Sequence, residues 1–218
     1  MIICGTDCKR GFAFVVEGET ERVFYQEYLQ WCCAQSQAYT MRGLPQNGWL
    51  MVPEAGENAA FVTFNVMGSI GSVPNAMSWI KSLRRNYLSL DWSIALCYDT
   101  DGGDPSNLNT RSWHRFRADL AALGLPLIDL AANADIEDIM LADIEGVRKF
   151  IGVPEGASPR GRKGKAKINS LFKAVDVTRP YHEGEKARPL IQALSFDVIE
   201  RKAPISLCTL RSAVFSDQ

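Results

Sequence analysis

No apolar run in this chain approaches the ~20 residues that a helix needs to cross a bilayer, so a helical membrane span is excluded. The start, Met1-Ile2-Ile3-Cys4-Gly5, lacks the basic opening and the longer apolar core of a secretory signal. A cytoplasmic location is therefore expected. An excess of one charge is lacking too: 24 Lys and Arg stand against 25 Asp and Glu, a net charge of −1. That excludes a polycation, and any nucleic-acid contact must come from a local basic patch. Histidine is scarce, with only His114 and His182, in unrelated contexts. Cys4 and Cys8 have a spacing that could suit zinc, but no second CxxC or His pair accompanies them. Cys32, Cys33, Cys97 and Cys208 complete the set, and reduced, mostly buried thiols are the better reading. There is no internal repeat, no heptad run and no Walker A loop. Gly164-Lys165 is followed by Ala166 rather than Ser or Thr, and Pro159 stands where the upstream glycine is required.

What is present is a chain of 218 residues, 46% apolar and 22% charged, ordinary for a soluble globular protein. It is long enough for one sizeable domain, or one domain with a small appendage. Two acidic motifs stand out, each where an apolar run ends. Phe12-Ala13-Phe14-Val15-Val16 leads into Glu17-Gly18-Glu19-Thr20-Glu21. Trp92-Ser93-Ile94-Ala95-Leu96-Cys97-Tyr98 leads into Asp99-Thr100-Asp101-Gly102-Gly103-Asp104. Short continuous apolar runs read as strands buried on both faces. Functional groups of parallel sheets gather at the carboxyl ends of their strands. Glu17, Glu21, Asp99 and Asp101 can thus form one cluster. Clustered carboxylates repel unless a cation neutralises them, and oxygen-only ligands suit Mg²⁺ or Mn²⁺.

Hydrophobic periodicity gives alternating elements. A strand is expected at about 12–17 and a helix at about 20–35, with Gly18 allowing a tight turn and Thr20 capping the helix. Residues 36–60 read as irregular, with one short strand at 49–52. A strand near 61–67, a helix near 74–87, a strand at 92–98 and a helix at 109–123 follow. Leu127-Ile128-Asp129-Leu130 reads as a strand, and 135–151 as one helix whose apolar face carries Ile136, Met140 and Ile144. Strands alternating with helices predict an α/β fold: a mainly parallel sheet with helices on both faces.

The character changes after residue 153. Arg160-Gly161-Arg162-Lys163-Gly164-Lys165-Ala166-Lys167 is strongly basic and precedes a helix at about 165–175. Two readings stay open: a solvated loop, or a phosphate-contacting loop beside the acidic site. The expected division is a catalytic domain over 1–152 and a helical C-terminal extension with the basic loop over 153–218.

Glu17-Gly18-Glu19-Thr20-Glu21 resembles the EGxTE signature of Toprim domains in OLD-type nucleases and their small stand-alone relatives. Asp99-Thr100-Asp101 resembles the Toprim DxD. Ile136-Glu137-Asp138-Ile139-Met140-Leu141-Ala142-Asp143 resembles a third motif of the small RloB-like and AbiL-like group, with Ile139 where an aromatic is common. The resemblance covers roughly residues 10–150. It implies a Toprim-like sheet, and a metal-dependent nuclease holding Mg²⁺ or Mn²⁺, two ions, through Glu17, Glu21, Asp99, Asp101 and Glu137. Glu17 would be a metal ligand or general base. A late lysine assists catalysis in such enzymes; Lys165 and Lys167 are both candidates, and Arg160, Arg162 and Lys163 join them as nucleic-acid contacts. The resemblance further implies an effector of anti-phage defence with a partner ATPase; a homo-oligomer stays open.

Two other classes compete. One is a non-catalytic Toprim-like module whose acidic pocket binds a metal or a basic partner within a larger complex. The other is a nucleotidyl transferase or primase fragment, for which the chain leaves little room. DNA and RNA are not distinguished.

Overall fold

The structure, a computed structural model, describes residues 1–3, 5–44, 48–54, 59–69, 72–100, 111–153, 156–203 and 205–215. Asp101 and Asp104 lie outside the described residues. The chain begins with β1 (Ile2–Ile3) and β2 (Thr6–Val16), followed by α1 (Glu19–Ser36), β3 (Tyr39–Leu44), β4 (Gly48–Pro53) and β5 (Ala59–Val66). Then come α2 (Val73–Asn86), β6 (Asp91–Asp99), α3 (Arg111–Ala122) and β7 (Leu127–Ala132). The remainder is helical: α4 (Ile136–Met140), α5 (Ile144–Ile151), α6 (Gly164–Val175), α7 (Arg188–Gln192), α8 (Phe196–Lys202) and α9 (Leu207–Phe215).

The strands form one mixed, mostly parallel sheet in the order β3-β4-β5-β2-β6-β7, with β1 paired antiparallel to β2. The centre, β5-β2-β6-β7, is parallel, whereas β3 and β4 add an antiparallel edge. Alternation along β2 divides its side chains between two cores. Phe12, Phe14 and Val16 face α1 and the helices from α4 onward. Ala13 and Val15 face α2 and α3, whose Met77, Ile80, Trp113, Phe116 and Leu120 are buried there. The sheet is thus covered on both faces, which is why its central strands read as unbroken apolar runs. Phe14 stacks on Phe64 with ring centroids 4.6 Å apart. Truncating such a buried ring to alanine costs about 3–5 kcal/mol, so Phe14→Ala would strike the centre of the fold.

The helices from α6 to α9 share the core of α1: Phe196 packs against Phe24 and Tyr28 with ring centroids 5.6 Å away in each case. Charge ties the same parts together. Arg22, only 7% exposed, holds Glu19 at 2.6 Å and also bonds Glu185. Arg188 bonds Glu185 at 2.8 Å and pairs with Glu27. The segment before α7 is therefore clamped to the first helix. Among the described residues no helix is long and apolar enough to cross a membrane.

Two expected elements differ. Residues 36–60 are not merely irregular: β3 and β4 pair antiparallel with Met41 opposite Met51. Tyr39 is buried against Phe215, ring centroids 5.2 Å apart, so a contact from the far end of the chain stabilises a strand that local composition does not signal. The helix expected over 135–151 is broken by a 3₁₀ turn at Leu141–Asp143. The Asp143 side chain accepts from Gly146 N at 3.2 Å and from Ser195 N at 2.7 Å. A side chain that caps a new helix competes with continuation of the old one.

Candidate functional site

The site lies at the carboxyl ends of β2 and β6. After β2 the chain crosses to β5 on one side, and later returns to β6 on the other, so these two strands flank a switch point of the topology. Glu17 N donates to Cys97 O at 3.1 Å, and Glu17 Oε2 accepts from Asp99 N at 3.2 Å. Glu17 and Asp99, the first acids of the two motifs, are held together at the carboxyl ends of β2 and β6 by these bonds.

From Glu17 the chain turns into α1. Gly18 is the N-cap residue, in an extended conformation at φ −131° and ψ 177° that any residue can adopt. Its glycine is needed for space: an added Cβ would lie 2.8 Å from Glu21 Oε2. The expectation of a conformational role for Gly18 is corrected accordingly. So is that of a Thr20 cap, since no side chain caps α1 and Thr20 Oγ1 instead accepts from Gly184 N at 2.9 Å. Thr20 thereby anchors the segment that closes the site.

Opposite stand α4 and α6. Asp135 caps α4, accepting from Asp138 N at 3.1 Å, and its other oxygen accepts from Lys165 N at 3.1 Å. One carboxylate thus serves the starts of two helices. They approach so closely at Gly164 that an added Cβ would lie 2.1 Å from Asp138 N and 2.4 Å from Asp135 Oδ1. Next along α4, Glu137 is buried and accepts from the Tyr181 hydroxyl at 2.9 Å.

These pieces enclose a cavity of about 710 Å³. Glu17, Glu21, Asp99, Asp135, Glu137 and Glu183 supply its acids, and Arg162, Lys163 and Lys165 its cations. The predicted Glu17, Glu21, Asp99 and Glu137 are therefore brought together. Of the basic loop, Arg162, Lys163 and Lys165 line the cavity, whereas Arg160 and Lys167 are not among its lining residues. Lys167 is instead drawn to Asp138, 2.7 Å away, and Arg160 anchors the loop through its backbone N to Ser170 Oγ at 2.7 Å. The Lys165 ammonium pairs with Glu183, which raises its pKa. Sequence reasoning missed Asp135, Tyr181 and Glu183. Asp135 directly precedes the apolar-periodic Ile136, the ordinary signature of an N-cap; Tyr181 and Glu183 carry no local signal.

Burial and like charge act together on the acids. Asp99 is pushed up to about 9, first by burial and then by Glu21, Glu17, Asp135 and Glu137. Glu137 rises to about 8 through burial and the charge of Asp135, and Glu21 to about 7 through burial and the charge of Glu17. Burial raises Asp135 as well. Burial and shared charge thus set these acids apart from carboxylates on a solvated surface.

No family model matches this chain. No curated protein matches it significantly. The site must be judged on its own chemistry.

Among the described residues, no three His, Cys, Asp or Glu side chains stand close enough together to form a ready-made metal group. The acids share a cavity without being arranged as a ligand set. Their donor chemistry nevertheless fits a hard divalent cation. Every acidic donor is a carboxylate oxygen, neither histidine lines the cavity, and Asp99 Oδ1 is buried with no hydrogen-bond partner among the described residues.

Proposed function

We propose that this protein is a Toprim-like, metal-dependent nuclease that hydrolyses phosphodiester bonds in DNA or RNA. The observation that carries the reading is the gathering of Glu17, Glu21, Asp99, Asp135 and Glu137 in one cavity, faced by Arg162, Lys163 and Lys165. Glu17, Glu21, Asp99 and Glu137, with Asp101, would hold Mg²⁺ or Mn²⁺. When bound, such ions polarise a phosphoryl oxygen and lower the pKa of a water. The residues of the chain do the rest. Lys165 and Lys163 offset charge on the phosphate, most of all where charge develops. Tyr181 orients the Glu137 carboxylate, and Gly18 leaves Glu21 room beside Glu17. Glu183 occupies Lys165 until a phosphate displaces it.

The likeness of the acidic motifs to those of OLD-type nucleases supports extending the reading to a cytoplasmic effector of anti-phage defence, restrained by a partner ATPase. A second reading is a non-catalytic module that binds a metal or a basic partner, and the lack of a preformed ligand group among the described residues supports its basic-partner form.

Incubation with plasmid, single-stranded DNA and tRNA in Mn²⁺ decides between them. The nuclease reading expects cleavage by the wild type and loss of it in Glu17→Gln. Intact substrates under all conditions would leave the non-catalytic module as the better account.

A further inference from the structure

A second cleft adjoins the acidic cavity, and Pro180 and Tyr181 line both. It encloses about 440 Å³, and its chemistry is the opposite of its neighbour's. Arg179, His182 and Lys186 line it, and no Asp or Glu among the described residues does. Among the described residues, the ion pairs around it use Arg22, Lys165, Lys167 and Arg188, and leave these three side chains out. All three are exposed. The cleft is backed by two buried aromatic rings, Phe172 and Tyr181. The Arg179 guanidinium lies 5.5 Å from the centroid of the Phe172 ring, and that ring lies 6.0 Å from Tyr181 at an interplanar angle of 37°.

We infer that this cleft seats the nucleotide adjoining the scissile phosphate of a single-stranded nucleic acid. The inference rests on the nuclease reading of the neighbouring cavity. Exposed cations suit a backbone phosphate, and the Arg179 guanidinium plane, backed by the Phe172 ring, suits the face of an unpaired base. The volume is that of a small-ligand pocket, ~300–1,000 Å³, which admits a base and its sugar but not a paired helix. A base within a duplex must first be unstacked and unpaired to enter such a recess, which favours a single strand. Because Tyr181 walls both clefts and bonds Glu137, a strand crossing Pro180-Tyr181 passes directly from the cationic cleft to the carboxylates.

The test is fluorescence anisotropy with labelled single-stranded DNA, single-stranded RNA and duplex DNA, in EDTA so that nothing is cut. Arg179→Ala/Lys186→Ala is compared with wild type and with Arg84→Ala/Arg85→Ala. The latter pair lines a separate cleft at the opposite edge of the sheet, beside the start of β6, and removes the same charge. The expected result is a loss of about tenfold or more in single-strand affinity for the first variant. Its salt dependence should flatten by about 0.7 per phosphate contact removed. The second variant should bind as wild type does. Loss on DNA alone, on RNA alone or on both supports the cleft and tells which sugar it accepts. Unchanged single-strand binding, an equal loss in the Arg84/Arg85 variant, or a loss confined to duplex overturns it. Mn²⁺-dependent cleavage is scored separately with Glu17→Gln. Cleavage with unaltered binding in the cleft variant sinks the cleft alone; impaired binding with no cleavage by wild type sinks the nuclease reading alone.

Discussion

Glu17 and Asp99 are joined by a hydrogen bond from the Asp99 amide to Glu17 Oε2 at 3.2 Å. The bond uses the backbone of one acid to hold the side chain of the other, leaving Asp99 Oδ1 buried without a partner among the described residues. An arrangement that concentrates negative charge in this way should respond strongly to anything that neutralises it.

A divalent cation is the first such agent. A ligand that binds only the folded state at a hundred times its Kd adds about 2.7 kcal/mol, on the order of 5–10 °C in Tm for a chain of this length. Thermal melts in Mn²⁺ or Mg²⁺ should show a rise of that order in the wild type and much less in Asp99→Asn. A wild-type Tm that ignores millimolar Mn²⁺ would remove the case for a cation site.

Protons are the second. Asp99, Glu137 and Glu21 have values raised to about 9, about 8 and about 7 in the folded protein. Across this range the native state holds protons that the unfolded chain has already lost. The associated stability is complete below the ordinary carboxyl range and is lost as pH climbs through the raised values. The metal-free protein should therefore melt at a lower temperature at about pH 9 than at about pH 6. Asp99→Asn, which cannot ionise, should flatten the slope and be the more stable protein at the alkaline end. A wild-type profile that rises with pH would contradict this.

Two glycines should separate folding from function. At Gly164 an added methyl meets Asp138 N at 2.1 Å, backbone that cannot easily yield. Gly164→Ala should cost about 1–3 kcal/mol by overpacking and lower Tm whether or not metal is present. At Gly18 the obstacle is Glu21 Oε2, the end of a side chain, 2.8 Å away. Gly18→Ala should melt close to wild type yet bind Mn²⁺ more weakly by calorimetry. Equal Tm losses in the two variants would show that Gly18 is purely structural.

Tyr181 gives the fourth outcome. Its hydroxyl donates to Glu137 Oε1 at 2.9 Å, and removing an outer partner of a metal-binding carboxylate typically costs 10–100-fold in affinity. Tyr181→Phe should keep the fold and weaken Mn²⁺ binding within that range. Metal affinity equal to wild type would confine Tyr181 to packing.

The site's two main motifs were legible because each follows an apolar strand, and parallel pairing in a covered sheet leaves few places for their acids to go. The helices α1 and α3 were legible from periodicity, and α2 and α6 were expected close to where they lie. What escaped depends on partners distant in sequence. Tyr39 finds its packing in Phe215, and Glu137 its donor in Tyr181. Lys167 looked equivalent to Lys165, yet Lys165 pairs with Glu183 on the cavity wall, whereas Lys167 pairs with Asp138 outside the lining. Charge in a sequence shows that a basic loop exists, but the neighbouring carboxylates decide which of its cations line the cavity.

The wall at Pro180-Tyr181-His182-Glu183 also fixes an order of events during synthesis. Glu17 and Asp99 emerge from the ribosome early, while Tyr181 and Glu183 follow only after α6 has been made. Domains generally fold as units, with N-terminal portions emerging first. A nascent chain therefore carries the acids long before it carries the wall that completes their cavity. The cavity is thus complete only once the segment after α6 has been made, although most of its acids lie far earlier in the chain.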